Sequence, residues 1–97
     1  MAQEINADHT KDILMKAFPN PFANSTTIEF TAKTDGVVTV NVYTLSGAKV
    51  VELFNGKVKS DESNQVIFNG TNLTNGIYIY KITVDDKVYY DKLILQK

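Results

Sequence analysis

Leu73-Thr74-Asn75-Gly76-Ile77-Tyr78-Ile79-Tyr80-Lys81-Ile82 reads as a turn closed by glycine, followed by a strand rich in β-branched and aromatic residues. Successive side chains of an extended chain leave opposite faces, so Tyr78, Tyr80 and Ile82 share one face and Ile77, Ile79 and Lys81 the other. Both faces begin apolar. That places the strand at the centre of a sheet, or beside another covered surface, rather than at a free edge.

Working outward, Gln65 to Phe68 is a short strand with Val66 and Phe68 inward, and Asp85-Asp86 turns the chain into a last strand over Lys87 to Leu95. Upstream, Thr26 to Ala32 alternates, with Ile28, Phe30 and Ala32 against Thr27, Glu29 and Thr31. Val37 to Thr44 does the same, Val38, Val40 and Val42 facing in and Thr39 and Asn41 out. Leu45-Ser46-Gly47 supplies a glycine where a tight connection needs positive φ, and Lys49 to Phe54 is the expected hairpin partner. Asn55 to Asn64 is the least apolar stretch of the domain and opens on the turn pair Asn55-Gly56, so it reads as an exposed loop. Ile13 to Phe18 is too short for a helix before Pro19 and Pro21, which favours an edge strand. Phe18-Pro19-Asn20-Pro21-Phe22 is then a stiff corner whose phenylalanines could pin it to the core.

Seven short strands with polar connections predict an all-β fold, a seven-stranded antiparallel sandwich. A single sheet would leave too many apolar faces in water. With 97 residues the chain holds one domain, expected over residues 11–97, with 1–10 as a polar linker or tail.

Ten lysines against eleven acidic residues, and no arginine, leave a net charge of −1. Nucleic-acid partners usually meet a basic field with arginine forks, so none is expected, and no direct membrane insertion either. The chain has no cysteine, which removes thiolate chemistry and disulfides. Residues 1–12 carry neither a basic start nor an apolar run, so an export signal, if the domain is exported, is expected upstream.

No catalytic set assembles from these residues. The single histidine, His9, falls in the expected tail, and the paired acids Asp61-Glu62 and Asp85-Asp86 sit in turns without the ligand offsets of a calcium loop. No cofactor and no enzyme activity are expected. Tyr43, Tyr78, Tyr80, Tyr89 and Tyr90 could form a sugar-stacking platform, but all lie in strands, where pairing of tyrosines across neighbouring strands accounts for them better.

Five stretches in order carry a family resemblance: Phe18-Pro19-Asn20-Pro21-Phe22, Thr26-Thr27-Ile28-Glu29-Phe30, Val40-Asn41-Val42-Tyr43-Thr44-Leu45-Ser46-Gly47, Leu73 to Ile82, and Asp91-Lys92-Leu93-Ile94-Leu95-Gln96-Lys97. Together they resemble the type A C-terminal sorting domain of the Bacteroidetes type IX secretion system, which implies that the sandwich is immunoglobulin-like, seven-stranded and antiparallel with Greek-key connections. The resemblance implies a noncatalytic domain that directs an attached upstream cargo through the periplasm and the outer-membrane translocon, with its shuttle protein, to the cell surface or medium. It also implies removal by a sortase-like surface peptidase. Translocon recognition would fall on Lys92, Leu93, Ile94, Leu95, Gln96 and Lys97. Pro19, Asn20, Pro21, Gly47, Gly76 and Tyr78 would be the motif or structural residues. A carbohydrate-binding or structural module of a secreted enzyme is the alternative.

The final strand itself suggests how a partner could read it. Leu93 and Leu95 should pack on one side with Ile94 on the other, leaving the tail open to strand addition, and Lys97 should project past the sheet.

Overall fold

The computed structural model describes residues 13–97. The expected tail at 1–10 and His9 lie outside the described residues. Seven strands follow one another: β1 (Ile13–Phe18), β2 (Ser25–Ala32), β3 (Gly36–Thr44), β4 (Lys49–Val58), β5 (Ser63–Asn69), β6 (Gly76–Val84) and β7 (Lys87–Leu95). They form two sheets, a three-stranded one ordered β1-β2-β5 and a four-stranded one ordered β4-β3-β6-β7, with every strand pair antiparallel. The chain crosses between sheets after β2, β4 and β5, so the expected immunoglobulin-like Greek key is the fold that forms.

Period-two patterning drives the packing. From the smaller sheet Ile28, Phe30 and Phe68 point inward, and from the larger one Val38, Val40, Val42, Tyr80 and Ile82 meet them, each no more than 1% exposed. The stretch that decides the fold is indeed an inner strand, since β6 lies between β3 and β7. Its second face is only partly covered: Ile77 is exposed, and Ile79 and Lys81 are half-buried.

Local signals and tertiary pairing disagree at Asn55 to Asn64. Asn55-Gly56 does not turn there. It stays extended inside β4, with Gly56 opposite Val38 and the Phe54 ring 3.7 Å from where a Cβ would sit. Phe54, beside it, packs edge-on against Phe30 at 5.2 Å. β4 continues to Val58, which is buried, and the connection shrinks to Lys59 through Glu62. The turn is made by Asp61 at φ 64°, its amide donating to Ala32 O, while Asp35 Oδ1 accepts the Ser60 amide. Pairing with β3 outweighs a two-residue turn preference because it satisfies a whole ladder of backbone groups.

Two further expectations change. Asn41 does leave the outer face of β3, yet it is buried, with its Oδ1 unpaired. No two tyrosines stand directly opposite in the β6–β7 ladder: Tyr78 faces Leu93, Tyr80 faces Asp91, Tyr89 faces Ile82 and Tyr90 faces Lys81. Tyr43 instead carries the Lys81 ammonium 5.1 Å above its ring. At the glycines, Gly47 has φ 97° and Gly76 φ 151°, with open space around each, so backbone conformation and not crowding is what selects glycine.

Candidate functional site: the terminal strand and its corner

β7 is the outermost strand of the larger sheet, so one backbone edge pairs with β6 and the other is available. In antiparallel pairing, alternate residues turn their N–H and C=O to opposite sides. Residues 92, 94 and 96 face outward, and the proline corner meets them there.

Neither Pro19 nor Pro21 has an amide hydrogen, so the corner cannot pair through those backbone positions. The side chain of Asn20, between them, takes over. Its Nδ2 donates to Lys92 O at 2.9 Å and its Oδ1 accepts from the Ile94 amide at 2.8 Å. These two contacts also fix which way round the amide sits. One residue beyond Pro21 the backbone itself resumes: Phe22 N donates to Ile94 O, and Gln96 N donates to Phe22 O, both at 2.8 Å. Phe22 and Leu95 thereby form a short parallel bridge. A primary amide and one residue of backbone together do the work of an added strand.

The corner is held from behind. Thr26, almost fully buried, donates its hydroxyl to Pro19 O at 2.7 Å. Phe22 is buried edge-on against Phe68, which in turn meets Tyr78 edge-on at 6.0 Å. Gly70 closes the packing, because a Cβ there would stand 3.0 Å from Phe22 and 3.1 Å from Leu95. Tyr78 is tethered by its hydroxyl to Thr74 O at 2.7 Å.

The tail residues divide by face. Leu93 and Leu95 are in the core, Ile94 half-covers the opposite face, and Lys92, Gln96 and Lys97 are exposed, as the alternation implied. Lys97, however, does not project past the sheet. Its Nζ turns back to donate to Leu73 O at 2.6 Å and Thr71 O at 2.8 Å, and its amide donates to Asn75 Oδ1. Both groups cap the loop between β5 and β6. Carbonyls with no ladder partner give an ammonium in water a place to bind.

The residues singled out in the sequence gather at one end of the sandwich. Thr44 pairs with Tyr78, Tyr78 with Leu93, and Gly76 with Leu95, so the Gly47 turn, the start of β6 and the end of β7 are neighbours. Pro19, Asn20 and Pro21 join them through the bonds to residues 92 to 96. Of the two phenylalanines expected to pin the corner, Phe22 does so and Phe18 does not, being 42% exposed; the contributions of Asn75 and Thr26 were not read from the sequence. The readable signal was an amide residue between two prolines, a polar group placed where the backbone has lost its own donors.

On the outer face of the smaller sheet an acid and a lysine pair directly. There Glu29 accepts from the Ser63 hydroxyl and pairs with Lys16 at 3.3 Å, and those contacts, the hydroxyl foremost, hold its carboxyl below the usual range. Among the described residues no group of three or more His, Asp or Glu could hold a metal, and no helix is long and apolar enough to cross a membrane.

A search of curated proteins finds no match. Among solved structures, the fold matches part of the dimeric latent PorU of Porphyromonas gingivalis, with a TM-score of 0.64 and 20% identity, over 87% of this chain and 9% of that one. At that identity the likeness is one of fold. A family model described as the secretion system C-terminal sorting domain matches residues 16–96, a range that includes the sequence motifs through Gln96. The chain belongs to that family of C-terminal sorting domains.

Proposed function

We propose that this domain is a noncatalytic signal that carries an attached upstream cargo across the outer membrane by type IX secretion, and that a sortase-like peptidase removes it at the cell surface. Membership of the sorting-domain family over residues 16–96 carries this reading. The translocon and its shuttle protein read the surface made jointly by the end of β7 and the corner: Lys92, Ile94, Gln96 and Lys97 beside Asn20. Leu93 and Leu95 act from the core by fixing where that surface stands.

Simple strand addition to the tail is not available while the corner is in place, because Lys92 O, Ile94 N, Ile94 O and Gln96 N are already paired. A partner therefore binds the composite face as it stands. Of the five tyrosines of the carbohydrate-binding alternative, Tyr78 and Tyr80 are buried and only Tyr43, Tyr89 and Tyr90 reach the surface.

The test is a reporter fused ahead of residues 11–97, followed in periplasm, surface and medium fractions of cells with and without a working type IX translocon. Export that depends on the translocon is expected. A folded fusion retained in the periplasm of both cells would return the domain to a binding or spacer role.

A further inference from the structure

The corner covers only part of the outer edge of β7. Its contacts begin at Lys92, and upstream the strand starts at Lys87, after the turn at Asp85-Asp86. Between them the alternation turns the N–H and C=O of Val88 and Tyr90 outward, and among the described residues no further strand lies beyond β7. Their side chains are exposed as well, Val88 by 43% and Tyr90 by 63%. Lys87 and Asp91, which share the inward side of β7 with Tyr89, are also exposed, so the smaller sheet does not reach over this half of the strand.

Inward-pointing charges on an open edge ordinarily repel other strands. This edge has one strand that it fits. The segment Asp86-Lys87-Val88-Tyr89-Tyr90-Asp91-Lys92 is complementary to itself when reversed about Tyr89. Antiparallel pairing on that centre sets Lys87 opposite Asp91 of the other copy, Val88 opposite Tyr90, and Tyr89 opposite Tyr89. Each contact occurs twice across the axis, except the last. The register also places residues with outward backbone groups, Val88 and Tyr90, directly opposite each other, as a hydrogen-bonded pair requires. Moving the register by two residues in one direction puts Lys87 against Leu93; in the other it puts Lys87 against Tyr89 and leaves Asp91 beyond the strand.

We propose that the open half of β7, Lys87 to Asp91, is a self-association edge on which a second copy of this chain pairs antiparallel about Tyr89, joining two four-stranded sheets into one. The corner at Lys92 and the turn at Asp86 bound the pairing on both sides, so it stops at five residues per copy. The interface is small, and the dimer is weak and in rapid exchange, with a dissociation constant on the order of 10 to 1,000 μM. Cross-strand charge pairs supply specificity for a second copy over other strands.

Charge exchange tests the register. Lys87→Asp sets Asp against Asp across the axis, and Asp91→Lys sets Lys against Lys. Sedimentation of the full chain as a function of concentration should show either variant associating about tenfold or more weakly than the parent. Mixed together, the two variants restore both opposite-charge pairs, and a heterodimer should form at least as tightly as the parent dimer. The double variant carrying both changes should also recover self-association. Circular dichroism of each variant checks that the sandwich is intact, which is expected for substitutions at exposed positions. A parent chain that stays monomeric at about 2 mM overturns the proposal. So does a dimer that both single variants form as well as the parent, because an exchange of whole terminal strands or contact through another face would not depend on residues 87 and 91.

Discussion

The two halves of β7 share one strand, one partner in β6 and one alternation, yet their outer edges are in opposite states. From Lys92 to Gln96 the edge is closed by Asn20 and Phe22; from Lys87 to Asp91 it is open. The strand's own residues do not decide this. A segment more than seventy positions upstream in the chain does, by bringing one amide side chain and one buried ring to the right place. Whether a strand end is exposed is thus a tertiary property, and removing the corner's anchors should make the closed half resemble the open one.

The largest effect is expected from Phe22→Ala. The ring is 2% exposed, and its loss both empties a core site and unpins the backbone that bonds Ile94 and Gln96. Truncation of a buried phenylalanine costs about 3 to 5 kcal/mol. Urea unfolding should report a loss in that range. If the variant remains folded, hydrogen exchange at the amides of Ile94 and Gln96 should accelerate towards the rates of Val88 and Tyr90. An unchanged Gln96 amide would mean that the corner stays in place without its ring.

Asn20→Ala is the finer cut. It removes the two bonds at Lys92 O and Ile94 N and leaves the phenylalanine anchor in the core. The freed groups reach water, so the expected loss is about 1 kcal/mol. Protection should fall at the Ile94 amide and hold at Leu93 and Leu95, whose backbone groups face β6. Equal loss at all three would show that the corner supports the whole strand end rather than its outer edge.

Much of this architecture was legible in the sequence because alternation was clean wherever one face is core and the other wet. Ile28, Phe30 and Ala32, then Val38, Val40 and Val42, were assigned their face correctly. The failures have a common cause in contacts distant along the chain. Asn55-Gly56 carries a turn preference that pairing with β3 overrides, setting Asn55 opposite Thr39 and Gly56 opposite Val38. Lys97 reads as a free terminal charge until the β5–β6 loop offers it two carbonyls. At the candidate site the inward and outward division of residues 92 to 95 followed from period two. That Asn20 would pair with them did not, because no local pattern connects residue 20 with residue 94.

The smallest effect is expected where the two halves of β7 meet. Tyr80 lies opposite Asp91, fully buried, with no hydrogen-bond partner for its hydroxyl. Burial, with the Asp91 charge adding to it, raises the phenol well above its ordinary value of 10.0. Tyr80→Phe removes an unpaired polar atom without changing the ring, so stability at neutral pH should be unchanged or higher by up to about 1 kcal/mol. The alkaline limb separates the variants more sharply. Above pH 10 the unfolded chain releases the Tyr80 proton while the native state still holds it, so this residue makes the fold lose stability as pH rises, by at most about 1.4 kcal/mol per pH unit. Denaturation of both proteins from pH 8 upward should therefore show a shallower decline for Tyr80→Phe. Parallel declines would mean that the hydroxyl gains a partner or reaches water at this junction, and that the boundary beside Asp91 is looser than its burial implies.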